Sequence, residues 1–169
     1  MKKYIFALLI SCSIFLTGCG AQSNPADDLI KMEDLSAEDI ITYINDGVKE
    51  VDNAFIVPIP ESTDYKKIKI TPYLALTLEE GDDGLLTGIK LICYDIPDEE
   101  TGYSYGFYSS LLISALSPDI SDEFEDCANK ATTMSWDSND TIIKYTVIPS
   151  GASQLTFEPK SDYLASKDN

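Results

Sequence analysis

The chain has 169 residues, with 12 basic against 29 acidic side chains and a formal net charge of -17. It contains no histidine, and every basic residue is a lysine, which excludes Ser-His-Asp and Cys-His nucleophile systems, histidine-ligated zinc and arginine clamps on phosphate. So acidic a chain is also repelled by nucleic acid, whose binding needs a basic patch.

Met1-Lys2-Lys3 begins the chain, and an apolar run from Tyr4 to Leu16 follows. A short positive start and about a dozen apolar residues read as a secretory leader. The run is too short for a permanent membrane span, which needs about 20 residues. The leader ends in Leu16-Thr17-Gly18-Cys19. This segment resembles the lipobox of bacterial prolipoproteins. The resemblance covers the leader alone and implies a diacylglycerol on the Cys19 thiol, with cleavage just before it. Two acyl chains suffice for stable anchoring. The mature protein is therefore expected on the outer side of the cell membrane, tethered by lipid. The lysine-only basic set and the isoleucine-rich leader suggest a Gram-positive, low-GC source. Cleavage removes Lys2 and Lys3 and no acidic residue, so the mature chain is more acidic still.

Residues 19–33 are polar and small and are expected to form a stalk between lipid and domain. The domain is expected over 34–159, with a polar tail over 160–169. At Ser36 a capping box with Asp39 predicts a helix start. Ala37, Ile40, Ile41, Ile44, Val48 and Val51 form its apolar stripe. Phe55, Val57 and Ile59 alternate as a short strand limited by Pro58 and Pro60. Lys67 to Glu79 alternates for longer: Ile68, Ile70, Leu74, Leu76 and Leu78 share one face, and Lys67, Lys69, Thr71, Tyr73 and Thr77 the other. Pro72, on the apolar parity, suggests a bulge or an edge. Leu85 to Asp95 returns as the hairpin partner after Gly81-Asp82-Asp83-Gly84.

Ile96 to Gly102 reads as an acidic loop. Helices are expected over Ser104–Leu116 and about Ser121–Thr132, with Pro118 between them. Asp137-Ser138-Asn139-Asp140 reads as a turn, and strands follow at Thr141–Ile148 and Gln154–Phe157. No internal repeat is found. The order α-β-β-β-α-α-β-β, with strands in runs and one stripe per helix, predicts a two-layer α+β domain: a mainly antiparallel sheet with three helices on one face.

Cys12 leaves with the leader and Cys19 carries lipid, so Cys93 and Cys127 remain. Both fall on core-facing parity, where a thiol behaves as a small hydrophobe. A disulfide between them is the alternative outside the cell. The acidic clusters (Glu79, Glu80, Asp82 and Asp83; Asp98, Glu99 and Glu100; Asp122, Glu123, Glu125 and Asp126) lack the spacing of a calcium loop. No metal site or cofactor is expected, and Gly102-x-x-x-Gly106 is not a phosphate loop, since no Lys-Ser/Thr follows. Trp136 is expected to plug the core.

Tyr103 and Tyr105 cluster after Gly102, and Tyr73 and Tyr94 fall on the polar parity of the long hairpin. These four tyrosines are the candidate binding surface, because exposed aromatics with polar handles are typical of recognition sites. The expectation is a non-enzymatic lipoprotein whose domain binds a partner protein or a cell-envelope glycan. A small envelope hydrolase using carboxylate acid and base groups is the alternative of a different class. A solute receptor of the two-lobed kind would need a much longer chain.

Overall fold

A computed structural model describes residues 31–51, 56–60, 65–149 and 151–161. Leu16, Thr17, Gly18 and Cys19 lie outside the described residues, as does Phe55. Helix α1 (Ala37–Lys49) starts at the predicted capping box. The Asp39 carboxylate accepts from the Ser36 N–H at 2.9 Å and from its hydroxyl at 2.6 Å, while the Asp39 N–H donates to Ser36 Oγ at 3.3 Å. Ala37, Ile40, Ile41, Ile44 and Val48 are buried, as the stripe predicts.

Beyond α1, residues 56–60 form no strand; Ile56 and Ile59 are buried and Val57 is exposed. The two prolines remove ladder donors, and side chains hold the segment instead. Asn45 brackets Ile59, donating to its carbonyl at 2.9 Å and accepting from its N–H at 2.7 Å. The Tyr108 hydroxyl donates to the Val57 carbonyl.

The single strand expected over Lys67–Glu79 is two strands. β1 (Ile68–Lys69) turns back through residues 70–73 onto β2 (Leu74–Glu80), pairing Ile68 with Leu76 and Lys69 with Ala75. Pro72 lies in this turn. The four-residue turn preserves parity, which is why alternation runs through it unbroken. β3 (Leu86–Cys93) pairs with β2 as predicted, Leu76 opposite Leu91 and Leu78 opposite Ile89.

Helix α2 (Glu99–Leu116) begins five residues before the expected start. The Asp98 carboxylate caps it, accepting from the Thr101 N–H at 2.8 Å, so the supposed acidic loop is largely helix. α3 (Ser121–Asn129) follows after Pro118. A strand absent from the prediction comes next: β4 (Met134–Ser138), joined to β5 (Thr141–Val147) by Asn139 and Asp140, both at positive φ. β6 (Ser153–Pro159) completes a sheet in the order β1-β2-β3-β6-β5-β4, antiparallel throughout.

The observed order is thus α-β-β-β-α-α-β-β-β. It divides into two halves of the same plan, each a helical segment and then a three-stranded meander, meeting where β3 pairs with β6. Gly84 (φ 79°) and Gly151 (φ 98°) occupy the equivalent hairpin turns, where only glycine adopts the left-handed conformation without strain. This is a repeat of topology that the sequence does not display.

One hydrophobic core lies between the helices and one sheet face, joining Ile40 and Ile44 to Leu76, Leu91, Ile143, Leu155 and Phe157. Trp136 plugs it as expected, its ring edge-on to Phe124 at 6.3 Å and its Nε1–H donated to Glu123 at 2.9 Å. Two-layer burial of this kind is the α+β arrangement that the patterning predicts.

Candidate binding face

Leu74, Leu76 and Leu78, with Ile89, Leu91 and Cys93, point into the core. Their strand neighbours therefore stand on the opposite face, which no helix among the described residues covers. At one end of this face Tyr73 and Tyr94 lie across the hairpin from each other. The Tyr94 N–H donates to the Tyr73 carbonyl at 2.8 Å, and the two residues, Tyr73 and Tyr94, are 38% and 45% exposed. Lys67 Nζ sits 5.6 Å from the centre of the Tyr94 ring, a cation–π contact at an exposed site.

The neighbouring rows are mixed, with Ala75 buried and Ile92 half-buried in the nearer one and Thr156 buried in the next. One runs Lys69, Ala75, Ile92, Gln154, Thr146 across five strands. The next runs Thr77, Lys90, Thr156, Lys144, Ser135, alternating hydroxyl and ammonium. Glu79 and Glu158 lie in the row beyond and pair with Lys90 at 3.9 Å and Lys144 at 3.5 Å. Lys90 and Lys144 were legible as open-face residues, each between core-facing neighbours. That they share a row depends on strand register across β3, β6 and β5, which no local pattern encodes.

Tyr105 and Tyr103 do not belong to this surface. Both sit on α2; Tyr105 is 4% exposed and Tyr103 packs half-buried against the core. The clustering after Gly102 is the buried wall of a helix enclosed on several sides. Burial drives the Tyr105 phenol far above its ordinary pKa, with the hydroxyls of Ser153 and Ser109 beside it. The structure brings together two of the four tyrosines, keeps Lys67 and Lys69 on their face as the hairpin parity predicts, and adds Lys90 and Lys144.

Cys93 and Cys127 are free, buried thiols, not a disulfide. Cys93 donates to the Asp95 carbonyl at 3.2 Å and Cys127 to the Thr132 carbonyl at 2.7 Å. Desolvation pushes the Cys93 thiol up to about 11 and raises Cys127 as well.

A recess of about 390 Å³ opens at the other end of the sheet. Glu33, Asp82 and Asp83 line it, with Leu85, Leu86 and Pro159. Among the described residues, no three acidic or cysteine side chains converge as metal ligands would. No helix there is long and apolar enough to cross a membrane. No family model, no curated protein and no solved structure matches the chain.

Proposed function

We propose that this protein is a lipid-anchored, extracytoplasmic binding domain, tethered through Cys19 and recognising a cell-envelope partner with the open face of its sheet. The observation that carries this reading is the exposed Tyr73–Tyr94 pair, set among lysines on a face that the helices leave uncovered. Its position supports the anchor. Lys31, the first described residue, pairs with Asp140 at 2.7 Å, and the Leu35 carbonyl accepts from the Leu86 N–H at 2.7 Å. Both contacts lie at the end of the sheet that carries the β2–β3 and β4–β5 turns. The tyrosines stand at the opposite end, a strand length of roughly 20 Å away. A tether entering at the turn end leaves the tyrosine end directed outward.

Two variants test the proposal. Cys19→Ala is expected to leave the protein unprocessed or released from the membrane, as fractionation would record; full membrane retention would refute the anchor. Cross-linking of the tagged protein in intact cells is expected to capture an envelope component that Tyr73→Ala/Tyr94→Ala loses. Unchanged capture by that double variant would place recognition elsewhere.

A further inference from the structure

We infer that the open sheet face is built to hold an extended polymer of phosphodiester-linked units, lying across the strands. The inference rests on the reading of this face as a binding surface and assigns the chemistry of its partner. Two observations carry it. The first is charge. Lys67, Lys69, Lys90 and Lys144 stand on one face of a chain whose net charge is -17, with Glu79, Glu158 and Asp137 as the carboxylates of the adjoining row, whereas the helices expose Glu38, Asp46, Glu99, Glu100, Asp122 and Glu125 and carry no such excess of lysine. The screening length at physiological salt is about 8 Å. A ligand seated on the sheet therefore responds to the ammonium groups beneath it more than to the acidic helices behind.

The second is repetition. Each topological half contributes one cross-strand threonine–lysine pair: Thr77 with Lys90 from the first, Thr156 with Lys144 from the second. The two pairs lie side by side in one row, because Lys90 is also opposite Thr156. Lys90 and Lys144 are two strands apart, roughly 10 Å. A duplicated site suits a ligand made of repeated units. Lysine offers phosphate a point charge with three donors, and the half-buried Thr77 adds a hydroxyl donor beside Lys90, whereas Thr156 is buried between the two lysines. Glu79 and Glu158 hold the two lysines through exposed ion pairs, and such pairs contribute little, so a phosphate can displace them at small cost. Tyr73 and Tyr94, two rows away, offer ring faces to the carbon backbone of the same polymer.

The test uses the full-length protein in detergent and a synthetic poly(glycerol phosphate) as probe. Titration calorimetry is expected to show saturable binding that weakens with salt. Lys90→Gln/Lys144→Gln is expected to reduce affinity at least tenfold, whereas Lys49→Gln at the end of α1 with Lys130→Gln just beyond α3 leaves it unchanged. In the wild-type protein, lysine acetylation read by mass spectrometry is expected to be blocked by the polymer at Lys90 and Lys144 and not at Lys49 and Lys130. This second readout does not depend on any variant folding. Absent binding, uniform protection, or equal affinity for neutral dextran overturns the inference. Equal affinity for polyglutamate overturns it in favour of an acidic protein partner. If the polymer fails while cross-linking through Tyr73 and Tyr94 still captures a component in cells, the binding-surface reading stands and the polymer assignment alone falls.

Discussion

Asp39 shows how much one side chain settles. Its carboxylate takes two hydrogen bonds from Ser36, the hydroxyl's and the backbone N–H's, and these hold its pKa below the ordinary carboxylate value. A depressed folded pKa means that the unfolded chain binds the proton more readily. The stabilisation is complete above the unfolded value, about 3.9, and is lost as pH falls through the lower folded value. Between about pH 5 and pH 2 the urea midpoint of the wild-type protein is therefore expected to fall more steeply than that of Asp39→Asn. Parallel curves would mean that the capping box is not a source of the acid sensitivity. Cys93 makes an opposite kind of prediction. With its thiol raised to about 11 by burial, the thiolate fraction at pH 8 is lower than that of a free cysteine by on the order of a hundredfold. Iodoacetamide is expected to spare Cys93 in the folded protein and to modify it readily in denaturing urea; rapid labelling of the native protein would contradict its buried position. Both residues were legible in the sequence, Asp39 from its spacing to Ser36 and Cys93 from its parity with Ile89 and Leu91. Tyr105 was not, since a tyrosine after a glycine carries no sign of which helix face it will occupy.

Elements were legible where one face is buried and obscured where more of the surface is. α1 shows a clean stripe. α2 buries Thr101, Ser104, Tyr105, Phe107, Tyr108, Ser109, Leu112 and Ile113, so its apolar positions mark no single face and its acidic first turn resembles a loop. The signal that could have found its start is Asp98, an N-cap residue three positions before Thr101. β4 was lost because Met134, Trp136 and Ser138 make a short and mixed alternation; the signal was Asn139-Asp140, a two-residue turn whose φ values of 49° and 57° match the tight hairpin class. α3 ends on a further local rule. The Ala131 N–H donates to the Ala128 carbonyl and the Thr132 N–H to the Cys127 carbonyl, both at 3.1 Å, with Ala131 at φ 51°. This is the Schellman arrangement with alanine at the position glycine usually fills. A left-handed non-glycine residue costs about 1–2 kcal/mol, partly offset by the greater unfolded freedom of glycine. Ala131→Gly is thus expected to stabilise the protein by about 0.5–1 kcal/mol, measured by urea unfolding. A loss of stability would show that the alanine methyl makes a contact worth more than the strain.

At the scale of the molecule, the two α-β-β-β halves share a plan without sharing a pattern. The first half takes its core-facing positions from aliphatic residues such as Leu74, Leu76 and Leu78, while the equivalent strand of the second offers Thr141, Ile143 and Tyr145. Repetition held in topology and not in residue type is invisible to a search for repeated letters, which is why no repeat could be read from the chain. The halves also depend on each other. Ile89 and Leu91 of β3 face Phe157 and Leu155 of β6 across the central seam, and all four are at most 2% exposed. Above the seam, α1 approaches α2 so closely that a β-carbon on Gly47 would lie 2.9 Å from Leu111. Separation at the 97–98 junction leaves each fragment with an unpaired central strand and half a core, and domains much smaller than this one bury too little surface to be secure alone. Fragments 31–97 and 98–161 are therefore expected to lack cooperative unfolding when purified singly, and to regain it, with native circular dichroism, when mixed. A single fragment that unfolds cooperatively as a monomer would show that each half carries a complete core, and the central seam would then be an interface between two small domains instead of the middle of one.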